Sequence, residues 1–383
     1  MAPLSKQRCV MIIAGEASGD LHGARLVTAM RNRNKSLFFC GIGGQALKAS
    51  GVRVFVDASE LSVVGITEAF SKLPNLLKGM AVAKKTLKRL LPDLLILIDF
   101  PDFNLNVAAF AKKLGIPVLY YISPQIWAWR PGRVKKIGKL VDHMAVILPF
   151  EEDFYKKYQI PVTFVGHPLL DTNLDYGTKT FQQPENDISV IGIFPGSRDR
   201  EIARHLPVML GAAQILLKKM KNVKFMVSLA PDVKRKTVEE IVNKHKGVAD
   251  IDIVSGHVRK IFERSSVVMA ASGTVTLESA ISGTPMVIIY KVSPISYWLG
   301  RALIQVKHIG LVNLITGKKI VPELLQDQAS PIRIADTVSD MLSDASGLEK
   351  LRLELLQVKD VLGGPGASER VADIAIGMLY DAS

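Results

Sequence analysis

Apolar runs recur along the chain at 9–14, 37–41, 53–56, 94–98, 117–121, 143–147 and 162–165, and segments with helical spacing of apolar residues separate them. This alternation predicts a mostly parallel sheet with helices on both faces, because parallel strands need long crossovers and are buried on both sides. The rhythm pauses over 166–188, where Gly166, Pro168, Gly177 and Pro184 stand among polar residues. It resumes with strands expected near 189–194, 223–228, 251–254, 266–270 and 286–289, and after Pro331 the pattern is helical only. The expected organisation is α/β, with Rossmann-like doubly wound domains over 1–170 and 189–360, a linker at 171–188 and a last helical segment at 361–383. Two such domains facing each other would place the C-terminal loops of both sheets in one central cleft.

Two strand-to-helix junctions in the second domain carry anion chemistry. Residues 266–290 read as a buried strand, a small loop Ser272-Gly273-Thr274 opening a helix, and a return strand. Bare N–H groups and hydroxyls at a helix start favour phosphate. Glu278 follows one turn later. With Thr274 as N-cap its reciprocal partner would be Leu277, so Glu278 either favours the positive helix end or accepts from a ribose diol. At the other junction, strand 189–194 enters Pro195-Gly196-Ser197-Arg198-Asp199-Arg200-Glu201. Cations in a first helical turn oppose the dipole unless an anion lies between. A diphosphate would supply that anion, with Arg198 the stronger candidate and Arg200 expected to face outward.

The first domain offers different loops. After strand 9–14 comes Gly15-Glu16-Ala17-Ser18-Gly19-Asp20-Leu21-His22, whose spacing is not that of a dinucleotide fingerprint. Strand 94–98 ends at Asp99-Phe100-Pro101-Asp102. A carboxylate just past a buried strand can have its pKa raised toward that of a general base. Asp102 suits a helix cap, which leaves Asp99 as the chemical candidate, with Asp20 and His22 in reserve.

Lipid contact has its own pattern. Over 73–91, Leu76, Met80, Ala83, Leu87 and Leu90 share a helical face ringed by Lys78, Lys84, Lys85, Lys88 and Arg89, and Pro74 suits the first helical position. The C-terminal part of that face is expected to belong to the core. Segment 61–70 is too irregular for a strand and too apolar for a solvated loop. Trp127 and Arg130 lie in an aromatic and basic stretch, but no nucleic-acid module surrounds them. The formal charge of +13 asks for an acidic partner: nucleic acid, anionic lipid or a phosphorylated substrate. No apolar run approaches the ~20 residues of a membrane span. Cys9 and Cys40 read as buried small hydrophobes, and the histidines form no metal-ligand pair, so no metal is expected.

Eight motifs, AGEASGD (14–20), DFPDFN (99–104), YISPQIWAWR (121–130), LPFE (148–151), FVGHPLLD (164–171), PGSR (195–198), ASGTVTLE (271–278) and PELLQ (322–326), together resemble the lipid-A-disaccharide synthase family in its own order over nearly the whole chain. The resemblance implies a GT-B glycosyltransferase whose final helix crosses back to the N-terminal domain. It implies joining of UDP-2,3-diacylglucosamine to 2,3-diacylglucosamine 1-phosphate, with inversion and without metal or other cofactor, by a cytoplasmic protein bound peripherally to the anionic inner membrane. Carried over by residue, Asp99 would be the base and Arg198 would balance the leaving diphosphate. Gly196, Ser197, Ser272, Gly273 and Thr274 would hold its oxygens, Glu278 the ribose, and Asn313 would lie by the nucleotide. Here the family's usual Leu-Pro-Asn is Leu311-Val312-Asn313. Ser18, Asp20, His22, Asp102, Trp127 and Arg130 fall on the acceptor side. The nearest rivals are another GT-B enzyme, such as a lipid-linked N-acetylglucosaminyl transferase or a UDP-N-acetylglucosamine 2-epimerase, and a noncatalytic nucleotide-binding protein of the membrane surface.

Overall fold

The computed structural model describes residues 7–380 except 62–65, 130, 172–187, 221, 232, 246, 248–250, 257 and 294–306, and gives the backbone alone at 66–73, 129 and 131. The chain divides into two units, Met1–Asn173 with Leu362–Ser383, and Leu174–Val361. Each is built on one parallel sheet.

In the first unit the strands are β1 (Cys9–Ala14), β2 (Phe38–Gly43), β3 (Arg53–Asp57), β4 (Leu94–Ile98), β5 (Val118–Tyr121), β6 (His143–Val146) and β7 (Val162–Phe164). Their order is β3-β2-β1-β4-β5-β6-β7. Every residue of β4, Leu-Leu-Ile-Leu-Ile, is buried, as expected of a central parallel strand. Its alternation splits the core in two: Leu95 and Leu97 join one apolar layer, while Leu94, Ile96 and Ile98 join the other. Val371, Ala372, Ala375 and Leu379, from the helix Ala367–Tyr380, complete that second layer. Asp171 fastens the start of this helix, accepting from the N–H groups of Gly366, Ala367 and Ser368 at 2.7, 2.9 and 2.8 Å.

The second unit holds β8 (Ser189–Phe194), β9 (Val223–Leu229), β10 (Ile251–Ser255), β11 (Val267–Ala271), β12 (Met286–Tyr290) and β13 (Glu323–Leu325), in the order β10-β9-β8-β11-β12-β13. The doubly wound α/β reading is thus found in both units. The three-residue β13 has no counterpart in the hydrophobic pattern, since it is too short to show a period; it is recognised only by its pairing of Glu323 with Ile288.

Two expectations for the basic amphipathic helix are corrected. It runs Ile66–Leu90 with Pro74 inside it, not at its first turn. Proline there removes one backbone hydrogen bond, a local cost of ~3 kcal/mol or more that the rest of the helix must offset. Its apolar stripe faces the domain core: Ala83 and Leu87 are wholly buried, and Leu76 and Met80 pack against the same cluster. Those two side chains are therefore not a lipid-facing surface. Leu77, 62% exposed, points away from the core, and Leu90, expected on the same stripe as Leu87, is exposed as well. Leu61 is buried against Gly79, whereas the side chains at 62–70 lie outside the described residues. No helix among the described residues is long and apolar enough to cross a membrane.

The two faces of this helix should respond differently to truncation. Leu87→Ala is expected to cost ~2–5 kcal/mol in urea unfolding, the range for a buried leucine. Leu77→Ala should stay within ~0.5 kcal/mol. Equal losses would mean that the stripe has been assigned to the wrong side.

Candidate active site

In an open parallel sheet, ligands bind beyond the strand C-termini where the strand order reverses. The reversal in the first unit lies between β1 and β4, whose last residues pair as Ala14 with Ile98. The loops leaving these strands are Gly15-Glu16 and Asp99-Phe100. Both Asp99 and Phe100 have left-handed backbones, with φ of 45° and 50°, a conformation that non-glycine residues adopt at a cost. The strain is held by specific bonds. Asn104 donates its amide to the carbonyls of Ile98 and Asp99 at 3.2 and 2.6 Å, and Tyr120 donates its hydroxyl to the Asp99 carbonyl at 2.6 Å. The Phe100 ring closes on Gly15, where any Cβ would run into it.

These bonds use the backbone carbonyl of Asp99 and not its carboxylate. Burial, and then the Glu16 carboxylate, push Asp99 up to about 6, against the opposing pull of the Phe100 N–H. Burial and the Asp99 charge also push the Tyr120 phenol well up, so it remains a donor. Glu16, Asn104 and Tyr120 were not singled out in the sequence. Glu16 follows Gly15, the first residue after β1, which is the one local signal that could have found it.

The other candidates of the first unit separate into roles. Asp20 is corrected from reserve base to framework: its carboxylate accepts from the N–H groups of Gly44, Ala46 and Leu47 at 2.5, 2.8 and 3.2 Å, fixing the short helix Gln45–Ala49. His22 is mostly buried, and burial followed by the Arg25 charge holds it down at about 4. It is neutral at ordinary pH, and its buried Nδ1 has no partner among the described residues. Ser18 is exposed in the first turn of the helix Ala17–Arg33. Asp102 is not the cap expected of it; Phe100 is the N-cap residue, and Asp102 instead pairs with Arg133 at 2.7 Å. Trp127 donates its indole N–H to Glu151 at 2.9 Å. Arg130 lies outside the described residues.

The second unit repeats the arrangement. Its reversal lies between β8 and β11, where Phe194 pairs with Ala270. The loops beyond them are Pro195-Gly196-Ser197-Arg198 and Ser272-Gly273-Thr274. Gly196 has φ of 123°, and a Cβ there would meet Glu201 at 2.6 Å. Glu201 folds back on the loop, accepting from the Ser197 N–H at 2.9 Å and facing Arg198 at 3.6 Å. A carboxylate thus occupies the donors that an incoming phosphate would use. Arg198 is the N-cap of the helix Asp199–Lys219. From that helix His205 bridges two loops, with Nδ1 3.2 Å from the Pro195 carbonyl and Nε2 accepting from the Lys291 N–H at 3.1 Å. Neutral imidazole fits both bonds, and burial holds its pKa down.

At the other loop the N-cap is Gly273, not Thr274; Thr276 returns its hydroxyl to the Gly273 carbonyl at 2.7 Å. Gly273 is extended and nothing lies within 4 Å of where its side chain would be. Ser272 ties the loop down by donating to the Ile309 carbonyl at 3.3 Å. Glu278 lies mostly buried one turn inside, with no donor to it among the described residues, and burial pushes it up to about 7. Asn313, expected beside the nucleotide, is wholly buried, and its amide is spent on Val321 and Glu323 at 2.9 and 2.7 Å. Glu323 in turn accepts from the N–H groups of Ile309 and Gly310 at 3.0 and 3.1 Å. Asn313 therefore acts on the loop at Ser272 through a buried chain of bonds, a role its sequence context does not reveal. Among the described residues no group of three or more His, Cys, Asp or Glu could hold a metal.

Two doubly wound units, each with its loops at a reversal of strand order, define the GT-B class. Solved structures of that fold align along nearly the whole chain at identities that speak for the fold alone. UDP-GlcNAc 2-epimerase from Neisseria meningitidis bound to UDP-GlcNAc gives a TM-score of 0.65 at 12% identity, covering 96% of this chain and 99% of that one. MurG of Acinetobacter baumannii gives 0.59 at 14%, with the same coverage. The family model described as lipid-A-disaccharide synthetase matches residues 10–364. Lipid-A-disaccharide synthase of Syntrophus aciditrophicus is 46% identical over 97% of this chain and 98% of its own length. That of Geobacter metallireducens is 45% identical over 97% of each. The chain belongs to the lipid-A-disaccharide synthetase family, glycosyltransferases of lipid A biosynthesis.

The unpartnered Glu278 should cost stability. Its folded pKa lies above the unfolded value of 4.5, so its favourable contribution is complete below 4.5 and is lost as pH rises through about 7. Glu278→Gln is expected to unfold at higher urea than the wild type at ~pH 8, by on the order of 2 kcal/mol. The gain should vanish toward pH 4.5. A destabilised Glu278→Gln at alkaline pH would show that the carboxylate has a donor.

Proposed function

We propose that the enzyme joins UDP-2,3-diacylglucosamine to 2,3-diacylglucosamine 1-phosphate, forming a β-1,6-linked disaccharide phosphate and UDP. The observation that carries this reading is the state of Asp99: its backbone is pinned in a strained turn while its carboxylate is desolvated and carries no structural duty. Asp99 takes the proton of the acceptor's 6-hydroxyl as that oxygen attacks the donor's anomeric carbon from the face opposite the diphosphate. The anomeric C–O bond breaks and its electrons leave with UDP.

The second unit holds the donor. Helix starts at Thr274 and Asp199 supply unpaired N–H groups to the diphosphate, and Arg198 neutralises the charge that grows on it. Diphosphate binding requires Glu201 to give up the Ser197 N–H and Arg198, exchanging a weak exposed pair for a stronger anion. Glu278 accepts the ribose hydroxyls, which gives its buried carboxylate the donors it lacks. The first unit holds the acceptor through Ser18, Trp127 and Arg130. Exposed Leu77 with Lys78, Lys85, Lys88 and Arg89 rests the protein on the anionic inner face of the cytoplasmic membrane.

Asp99→Asn should keep UDP affinity in calorimetry while single-turnover rate with both lipids saturating falls by ~10²–10⁴, the range for a positioned base. Wild-type kcat/KM should rise with pH through about 6, because only ionised Asp99 accepts the proton. Near-normal turnover by Asp99→Asn would remove it from the role. Arg198→Ala should weaken UDP binding, whereas Arg200→Ala should change it little. Binding to anionic phospholipid vesicles should fade as ionic strength passes ~0.1 M, where the Debye length is ~10 Å. Replacing Leu77 by Ser together with Lys85 and Lys88 by Gln should weaken it further; unchanged binding would locate membrane contact elsewhere.

A further inference from the structure

Next to Asp99 the sheet edge carries a second strained turn. β4 and β5 pair Ile98 with Tyr121, and the Asp99 N–H donates to the Tyr121 carbonyl at 3.2 Å. The following residue, Ile122, has φ of 64°, which for a β-branched side chain is a costly outlier. It turns the chain into Ser123-Pro124-Gln125-Ile126-Trp127, so this loop leaves the sheet directly beside the proposed base.

Buried bonds hold the loop from below. Ser123, itself buried, shares a 2.7 Å hydrogen bond with the Tyr155 hydroxyl. Trp127 packs edge-on against Phe150 with ring centroids 4.8 Å apart. Its indole N–H donates to Glu151 at 2.9 Å, and the other carboxylate oxygen accepts from the Leu148 N–H at 3.1 Å. Glu151 is only 1% exposed. A carboxylate this deep costs free energy that an amide or apolar residue would avoid. Burial pushes it up to about 7, opposed by the Trp127 and Leu148 donors. Capping the helix Pro149–Lys156 needs only an acceptor, which glutamine also provides. In its ionised form the carboxylate adds a stronger, more directional bond to the indole than an amide would.

We propose that Glu151 is a positioning residue that fixes Trp127 and its loop as the wall of the acceptor site beside Asp99. Glu151 does not touch substrate; it acts through the indole. The inference rests on the reading that the first unit binds the lipid acceptor.

The test is a double-variant cycle on the full-length enzyme, using Glu151→Gln, Trp127→Phe and the pair. Trp127→Phe keeps an aromatic ring to face Phe150 and removes the N–H donor together with the second ring of the indole. Each single variant is expected to lower kcat/KM for 2,3-diacylglucosamine 1-phosphate about 10-fold, mostly through KM, as for loss of a charge-assisted bond. UDP affinity by calorimetry should stay within about 2-fold, since the nucleotide half of the site is untouched. The pair should be no worse than either alone. Effects that multiply in the pair would overturn the proposal, as would an unchanged acceptor KM in folded Trp127→Phe. The latter variant decides even if Glu151→Gln does not fold. Absence of UDP release by the wild type from this lipid pair would instead refute the acceptor reading, and this inference with it.

Discussion

The constraint on which the site depends is the reversal of strand order in each parallel sheet. β1 and β4 share a central ladder, but their crossovers leave on opposite faces, so the loops after Ala14 and Ile98 diverge and open a crevice. The same geometry separates the loops after Phe194 and Ala270 in the second unit. Buried apolar strands on both sides fix these edges, and bonds from neighbouring elements hold the loops that leave them: Asn104 and Tyr120 at Asp99, His205 at Pro195 and Ile309 at Ser272.

Against that frame, carboxylates divide by what they accept. Asp20, Asp171 and Glu323 each take two or more backbone N–H groups and so behave as structural anions, closing helix starts or loops. Burial raises the pKa of Asp171, but the donors of Ser368, Ala367 and Gly366 outweigh it and hold the group below the ordinary range. Asp99 and Glu278 have burial without comparable donors, and both are pushed up. Asp171 stabilises the fold in its ionised state, whereas Asp99 and Glu278 lower its stability unless a ligand or a proton arrives. Glu151 shows that a raised pKa also arises at a buried carboxylate with donors, so it is the lack of comparable donors that sets Asp99 and Glu278 apart as candidates.

The central strands were legible because they are short apolar runs, as β1, β4 and β11 are, and the switch-point loops because glycine, small or charged residues follow those runs directly. Asp99 stood out for the same reason, as the first charge after five buried residues. Side-chain roles set by distant partners were not legible. Asp20 looks catalytic until the Gly44–Leu47 backbone, 24 or more residues on, is seen to claim it. Asp102 looks like a cap until Phe100 adopts the left-handed turn that moves the helix start. Asn313 and Glu323 find one another only through β13, whose three residues carry no period. Pro74 marks a helix boundary by propensity, yet the helix passes through it.

The first unit is discontinuous in the chain: its sheet is complete by Phe164, but one apolar face waits for Val371, Ala372, Ala375 and Leu379. Between them the ribosome must translate the whole of the second unit. During synthesis the first sheet therefore stands with Val10, Ile12, Ile96 and Leu119 partly uncovered, while Leu174–Val361 has everything it needs to fold. The unit that holds Asp99 is the last to be finished, and Asp171, waiting beside the unfilled face, is the anchor that the late helix meets when it arrives.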